Sequence, residues 1–212
     1  MLERKPLLAI DIGGNIGEYT AELRRGNADL EIHVFEPANT NIKRLRERFL
    51  LDPLISVIPF ALSNSAGDAT LYSDVPGSGL GSLTKRHLDH LSINFNSEQT
   101  VSTMRFEEYW KTNLASRKLD IVKIDIEGHE FAALEGFGSA IFEVSVLQFE
   151  FGGCNIDTRT FFQDFWKFFQ DRNFDIFRIT PTGMEKIKIY READECFLTT
   201  NYVARNRNYR KK

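Results

Sequence analysis

The chain has 212 residues, a formal charge of −3 and 42% apolar residues, which suits one domain with a full core. No apolar run approaches the roughly 18–20 residues of a membrane span, and the run at 7–10 is too short for a signal-peptide core. The near-neutral balance gives no case for a nucleic-acid partner, and two cysteines, Cys154 and Cys196, make no disulfide framework, so the chain reads as cytoplasmic and reduced.

In chain order, a strand over 6–11 runs into Asp11-Ile12-Gly13-Gly14-Asn15-Ile16-Gly17 and then a helix over 17–25. Gly13, Gly14 and Gly17 allow a tight turn and a close backbone approach to a ligand, and the helix start offers free N–H groups. A second strand over 31–36 ends in Glu36, where an acid can grip both ribose hydroxyls. The dinucleotide spacing G-x-G-x-x-G is absent. A carboxylate at the end of the first strand would repel a pyrophosphate but attract an ammonium or sulfonium group. S-adenosylmethionine is therefore the expected ligand. A nicotinamide-dependent oxidoreductase and a non-catalytic nucleotide-binding protein are the alternatives.

A helix follows over 39–49, with Asn39 or Thr40 as N-cap and Pro53 marking its end, and then a strand over 55–58. Residues 60–75 alternate around Ser65-Ala66-Gly67-Asp68 and read as a hairpin or edge excursion. Residues 76–100 carry Gly77, Gly79, Gly81 and a short helix near His87, Leu88 and Leu91; they form a substrate lid or a plain surface loop. Further on come a strand over 101–106, a helix over 107–115 and a buried strand over 119–126. The turn 127–130 leads into a helix through Leu134, and a strand over 144–151 ends in Gly152-Gly153. In the helix over 158–171, Phe162, Phe165, Trp166 and Phe169 fall at i, i+3, i+4 and i+7, with Phe161 and Phe168 widening a face that reads as core. Strands over 174–179 and 196–203, with Thr182-Gly183 in the turn between them, complete the pattern. The expected fold is α/β, a mostly parallel sheet with helices on both faces and the ligand at the carboxyl ends of the strands, where Asp11, Glu36, Asp125 and Glu150 converge.

Five motifs occur in order: Asp11-Ile-Gly-Gly-Asn-Ile-Gly, Phe35-Glu36-Pro37, Ala61-Leu62-Ser63 with Gly67, Lys123-Ile124-Asp125-Ile126-Glu127-Gly128-His129-Glu130, and Gln148-Phe149-Glu150. Together they resemble the FkbM-type family of S-adenosylmethionine-dependent methyltransferases, over nearly the whole chain. The resemblance implies the seven-stranded class I methyltransferase fold, which is Rossmann-like with an antiparallel last strand. It also implies O-methylation, often of sugars or related hydroxylated metabolites. The family pattern has Asp after Ala-Leu-Ser where this chain has Asn64, whose carbonyl can still accept a hydrogen bond from an adenine amino group. The chain begins almost at the first strand, without the N-terminal segment of many relatives, so part of the substrate cover is expected to be either missing or supplied by residues 76–100.

Asp11, Gly13, Gly14 and Gly17 are expected to hold the amino-acid end of the cofactor, and Glu36 the ribose. Asn15 is either a contact near that end or a turn residue in a left-handed conformation. Methyl transfer to a hydroxyl needs alignment and a base, and the acids Asp125 and Glu127 and the imidazole of His129 are the catalytic candidates, with Glu150 as a substrate contact. His87-x-x-His90 lacks the further ligands of a metal site, so no metal is expected. Cys154 reads as a packing residue. The acceptor is expected to be a carbohydrate or other small molecule. Residues 1–204 read as a single domain, and Arg205, Arg207, Arg210, Lys211 and Lys212 read as a basic, solvated tail over 205–212.

Overall fold

The computed structural model describes residues 5–209. Its centre is an eight-stranded sheet. β1 (Leu8–Ile12), buried along its whole length, leads through α1 (Glu18–Gly26) to β2 (Glu31–Phe35), and α2 (Asn39–Arg48) leads to β3 (Ile55–Ile58). The chain then leaves the main sheet. β4 (Ala61–Leu62), β5 (Gly67–Ser73) and β6 (Ser97–Met104) form a three-stranded sheet in the order β4-β6-β5. It returns through α3 (Phe106–Asn113) to β7 (Leu119–Ile124), and through α4 (Glu130–Gly136) to β8 (Val144–Phe151). α5 (Cys154–Thr158) and α6 (Phe162–Asp171) precede β9 (Phe174–Thr180), β10 (Gly183–Ile187) and β11 (Thr200–Asn206).

The strand order is β10-β9-β11-β8-β7-β1-β2-β3, with β1, β2, β3, β7 and β8 parallel and β11 antiparallel between β8 and β9. The order reverses between β1 and β7, so a crevice opens there beyond the carboxyl ends of the strands. Every residue of β1 is buried because helices cover both faces of a parallel sheet. On one face a stripe of Phe162, Phe165, Phe168 and Phe169 packs α6 against Phe149 and Tyr202, each ring contributing about 1.5–3 kcal/mol of burial. This is the core role expected for the stripe, although Phe161 stands half exposed outside it.

Several expected boundaries move. Thr182-Gly183 closes the β9–β10 hairpin and does not join β9 to the last strand, so β10 is an eighth strand beyond the expected seven. The helix expected over 158–171 is broken at Arg159, whose φ of 57° is left-handed; Asp164 accepts the Phe161 amide and restarts it as α6. Residues 67–73 pair with 97–103, a long-range partnership that local alternation could not reveal, so 97–100 is strand rather than loop. The short helix near His87 is a 3-10 turn, Asp89–Leu91. Arg205 lies in β11, and both it and Arg207 face Asp175, so the sheet continues past 204; Arg210, Lys211 and Lys212 lie outside the described residues. No helix among the described residues is long and apolar enough to cross a membrane.

Candidate functional site

The crevice is a cleft of about 390 Å³ at the switch point, lined by the glycine turn, Glu36, Asn41, Lys123, Asp125, Glu127, His129 and Glu150. Its floor is the turn after β1. The Gly13 and Gly14 amides both donate to the Phe35 carbonyl, and the Asp125 amide donates to Ile12 O, tying the ends of β1, β2 and β7 together. At Gly13, φ is 82° and a Cβ would stand 2.0 Å from the Asp125 carbonyl oxygen, so only glycine fits. Gly17, also left-handed at φ 84°, is the N-cap of α1.

Glu36 follows β2 and sits at the wall of the cleft. Its Oε2 accepts from the Asn15 amide at 2.8 Å and its Oε1 from the Ala38 amide at 2.9 Å. Burial raises its carboxyl to about 7, against the lowering effect of those amides. Asn15 has a left-handed φ of 47°, as a turn residue would, and its Oδ1 accepts from Asn41 Nδ2. The Oδ1 of Asn41 is buried in the same wall without a partner. That orphaned acceptor, the Glu36 carboxylate and the bare main chain of the glycine turn suit the hydroxyl and amino groups of a nucleoside bearing an amino-acid tail.

Asp11 is placed differently from expectation. β1 runs one residue beyond it, so its side chain turns beneath the sheet, where it is fully buried, accepts from Thr20 Oγ1 at 2.6 Å and lies 3.9 Å from Lys123 Nζ. Burial raises its pKa, and it does not line the cleft. Asn64 also misses the cleft: its Nδ2 donates to Glu135 on the surface, and its main-chain carbonyl accepts from Arg105.

The opposite end is formed by the exits of β7 and β8. Lys123 Nζ lies 3.2 Å from Asp125 and stands over the Tyr19 ring. Glu127, left-handed at φ 54°, is paired with Arg86, whose Nε is 3.7 Å from Asp157. Burial raises the Glu127 carboxyl and Arg86 opposes the shift. His129 does not merely face solvent. It lines the cleft, shares a hydrogen bond of 3.0 Å with Ser63 Oγ through Nε2, and has its pKa lowered by burial. Glu130, fully buried at the start of α4, accepts from the Ile126 and Gly128 amides and so shapes this turn; burial raises its carboxyl to about 7. Glu150 is half buried at the end of β8, its carboxyl raised to about 8 by burial and by Asp125, Glu127 and Glu130. Ligand atoms of Glu127, Glu150 and Cys154 lie within 4.8 Å of one another, a grouping that sequence spacing did not reveal; Arg86 already stands as the cation at Glu127.

Residues Gly77, Ser78, Gly79 and Gly81 cover part of the cleft, and Ser82 Oγ donates to the Glu127 carbonyl, so this part of the 76–100 segment is a cover over the site. Lys123 and Glu130 belong to a motif legible in the sequence, but their partners were not. Arg86 carried no local signal, because its two acids lie 41 and more residues away.

A family model described as the methyltransferase FkbM domain matches residues 11–176. Among solved structures, the chain is similar to the Methanococcus jannaschii fibrillarin pre-rRNA processing protein, at 10% identity, 97% coverage of this chain and 68% of that one, with a TM-score of 0.54. It is similar to a fibrillarin/Nop5p complex at 11% identity, covering 96% and 74%, with a TM-score of 0.51. The precorrin-6y C5,15-methyltransferase of Geobacter metallireducens matches at 11% identity, covering 96% and 81%, with a TM-score of 0.47. At such identities the first two show a likeness of fold alone. No curated protein sequence gives a significant match.

Proposed function

The chain belongs to the FkbM family of S-adenosylmethionine-dependent methyltransferases, and from that premise we propose that it methylates a hydroxyl of a sugar or glycosylated small molecule. The observation that carries this reading is the single cleft joining the glycine turn and Glu36 at one end to Asp125, Glu127 and Glu150 at the other. S-adenosylmethionine supplies a methyl group on a positively charged sulfur. Glu36 would hold the ribose hydroxyls through the lone pairs its two amide bonds leave free, and Asn41 Oδ1 would gain a donor. The main chain of Gly13 and Gly14 leaves room for the amino-acid end. Asp125 replaces Asp11 as the carboxylate placed for its ammonium, because Asp11 is sealed beneath the turn.

At the other end, Glu127 and His129 face the space left for the acceptor. Aligning an oxygen with a methyl carbon can contribute ~7–11 kcal/mol to the rate, and a cleft walled on both sides suits that task. Carboxylates fit a polyol acceptor, since each can take hydrogen bonds from two hydroxyls. Titration calorimetry with S-adenosylhomocysteine tests the reading, with NAD in parallel and Glu36→Ala as control. The expected result is micromolar binding of the homocysteine derivative, lost in the variant. Binding of NAD in its place would overturn the assignment.

A further inference from the structure

The carboxylates at the acceptor end are not equivalent. Ile124 and Phe149 are register partners, so Asp125 and Glu150 leave the sheet edge side by side. Asp125 is held by Lys123 at 3.2 Å, and Glu127 is paired with Arg86. A carboxylate engaged by a fixed cation is held in one orientation with fewer oxygens open to a new donor, so these two groups are better suited to orienting a ligand. His129 already shares its Nε2 with Ser63. Glu150 lines the same cleft, and among the described residues its carboxylate has neither a hydrogen bond nor an ion pair, although its main chain is paired with Asn201 in the sheet.

Resting on the O-methylation reading above, we propose that Glu150 is the catalytic base that takes the acceptor's hydroxyl proton, while Asp125 and Glu127 are positioning groups held by their cations. The groups facing it are Lys123 and Asp125 at the end of β7, Glu127 in the following turn, Glu130 on α4 and Cys154 on α5. Four of these are acidic or thiol groups and one is a cation. Burial, with the charges of Asp125, Glu127 and Glu130 and against the lowering effect of Lys123, gives the Glu150 carboxylate the raised proton affinity that a base for an alcohol needs. The acceptor oxygen forms the new O–CH3 bond, the C–S electron pair stays on sulfur to leave a neutral thioether, and the hydroxyl proton passes to a Glu150 oxygen and then to solvent. No oxidant or further reactant is needed.

The test uses the full chain and two variants, Glu150→Gln and Glu150→Asp. Both are expected to bind S-adenosylhomocysteine within about threefold of the wild type, since neither alters the Glu36 end. Proton titration is read without any acceptor, by NMR of chains carrying carbon-13 at the glutamate carboxyl. One resonance, absent from Glu150→Gln, should titrate near 8. Turnover is then measured with S-adenosylmethionine and methyl glycosides of glucose and rhamnose as probes. Glu150→Gln should lose about 10²–10⁴-fold in kcat with little change in KM, and should lose the rise in kcat/KM on approaching pH 8, with Glu150→Asp recovering part of both. A Glu150 resonance titrating in the ordinary carboxylate range overturns the assignment, as does Glu150→Gln turning over like the wild type. A wild type that binds the homocysteine derivative but methylates neither glycoside removes the sugar reading instead, while the resonance still decides whether Glu150 is the high-affinity proton site.

Discussion

At the glycine-turn end of the cleft, Glu36 is held by main-chain amides of Asn15 and Ala38, whereas at the β7–β8 end the acids lining the cleft are met by side chains, Asp125 by Lys123 and Glu127 by Arg86, or, for Glu150, by nothing among the described residues. Main-chain partners come with the local fold of a β-turn-α unit and survive most substitutions around them. Side-chain partners, such as Arg86 from the covering segment, can be exchanged one at a time. The first kind of construction suits a ligand that never changes, the methyl donor. The second leaves the acceptor end open to change one residue at a time. Glu130 combines the two, because a buried side chain there organises the main chain of the acceptor-side turn.

The sharpest way to break the donor end is Gly13→Ala. Its Cβ would stand 2.0 Å from the Asp125 carbonyl oxygen at a φ of 82°, and that oxygen is main chain at the exit of β7, where the Asp125 amide is tied to Ile12, so it cannot yield cheaply. Left-handed strain and overpacking together should cost about 3–5 kcal/mol, lowering the melting temperature by roughly 6–20 °C with binding of S-adenosylhomocysteine lost. A variant that melts like the wild type would show that the turn can open. Glu130 gives the next effect, through pH. Its carboxyl is raised to about 7 in the folded chain, so the native state keeps a proton that the unfolded chain releases above about 4.5. Folding stability contributed by that proton is present below the unfolded value and is lost as pH rises toward and through 7. Glu130→Gln keeps an acceptor for the Ile126 and Gly128 amides without ionising. Urea unfolding at pH 5 and pH 8 should therefore show the variant losing about 2–3 kcal/mol less than the wild type, and parallel losses would contradict the buried acid.

The same contrast explains what the sequence revealed. The glycine turn, Glu36 and the acid-bearing exits of β7 and β8 are local patterns of strand, turn and helix, and they lie where expected. Asp11 misled because a single residue of extra strand carries its side chain from the cleft to the buried layer beneath it, where Thr20 waits. Strand ends cannot be read to that accuracy from hydrophobicity. The small sheet escaped notice because β5 and β6 are separated by a long segment and recognise each other only through pairing. Arg86 was silent for a related reason: its acids, Glu127 and Asp157, lie on two different elements.

Arg86 is also where the acceptor end can be loosened without touching the donor end. The covering segment has its own anchor, since Tyr72 and Ser82 exchange main-chain hydrogen bonds of 2.8 and 2.9 Å, and Ser82 holds the Glu127 carbonyl. Arg86→Met should therefore leave S-adenosylhomocysteine affinity within about threefold while lowering kcat/KM for the acceptor about tenfold, as Glu127 loses its cation. Equal losses at both ends would mean that the cover moves as one body and that the two halves are not independent.

The smallest effect is expected at Asn64, the residue after Ala61-Leu62-Ser63 that the sequence put forward as an adenine contact. Its side-chain Nδ2 is spent on Glu135 at the surface, and its main-chain carbonyl accepts from Arg105. The main chain just before it is pressed against α4 so closely that a Cβ on Gly136 would stand 2.1 Å from Ser63 O. With the backbone pinned there, only a rotation of the side chain itself could bring the amide toward the cleft, and that would give up the bond to Glu135. Asn64→Ala should then change stability by less than about 0.5 kcal/mol and leave calorimetric binding of S-adenosylhomocysteine unaltered. A tenfold weaker affinity would show that the rotation does occur when the ligand enters, and that Asn64 makes the adenine contact expected of it from the sequence.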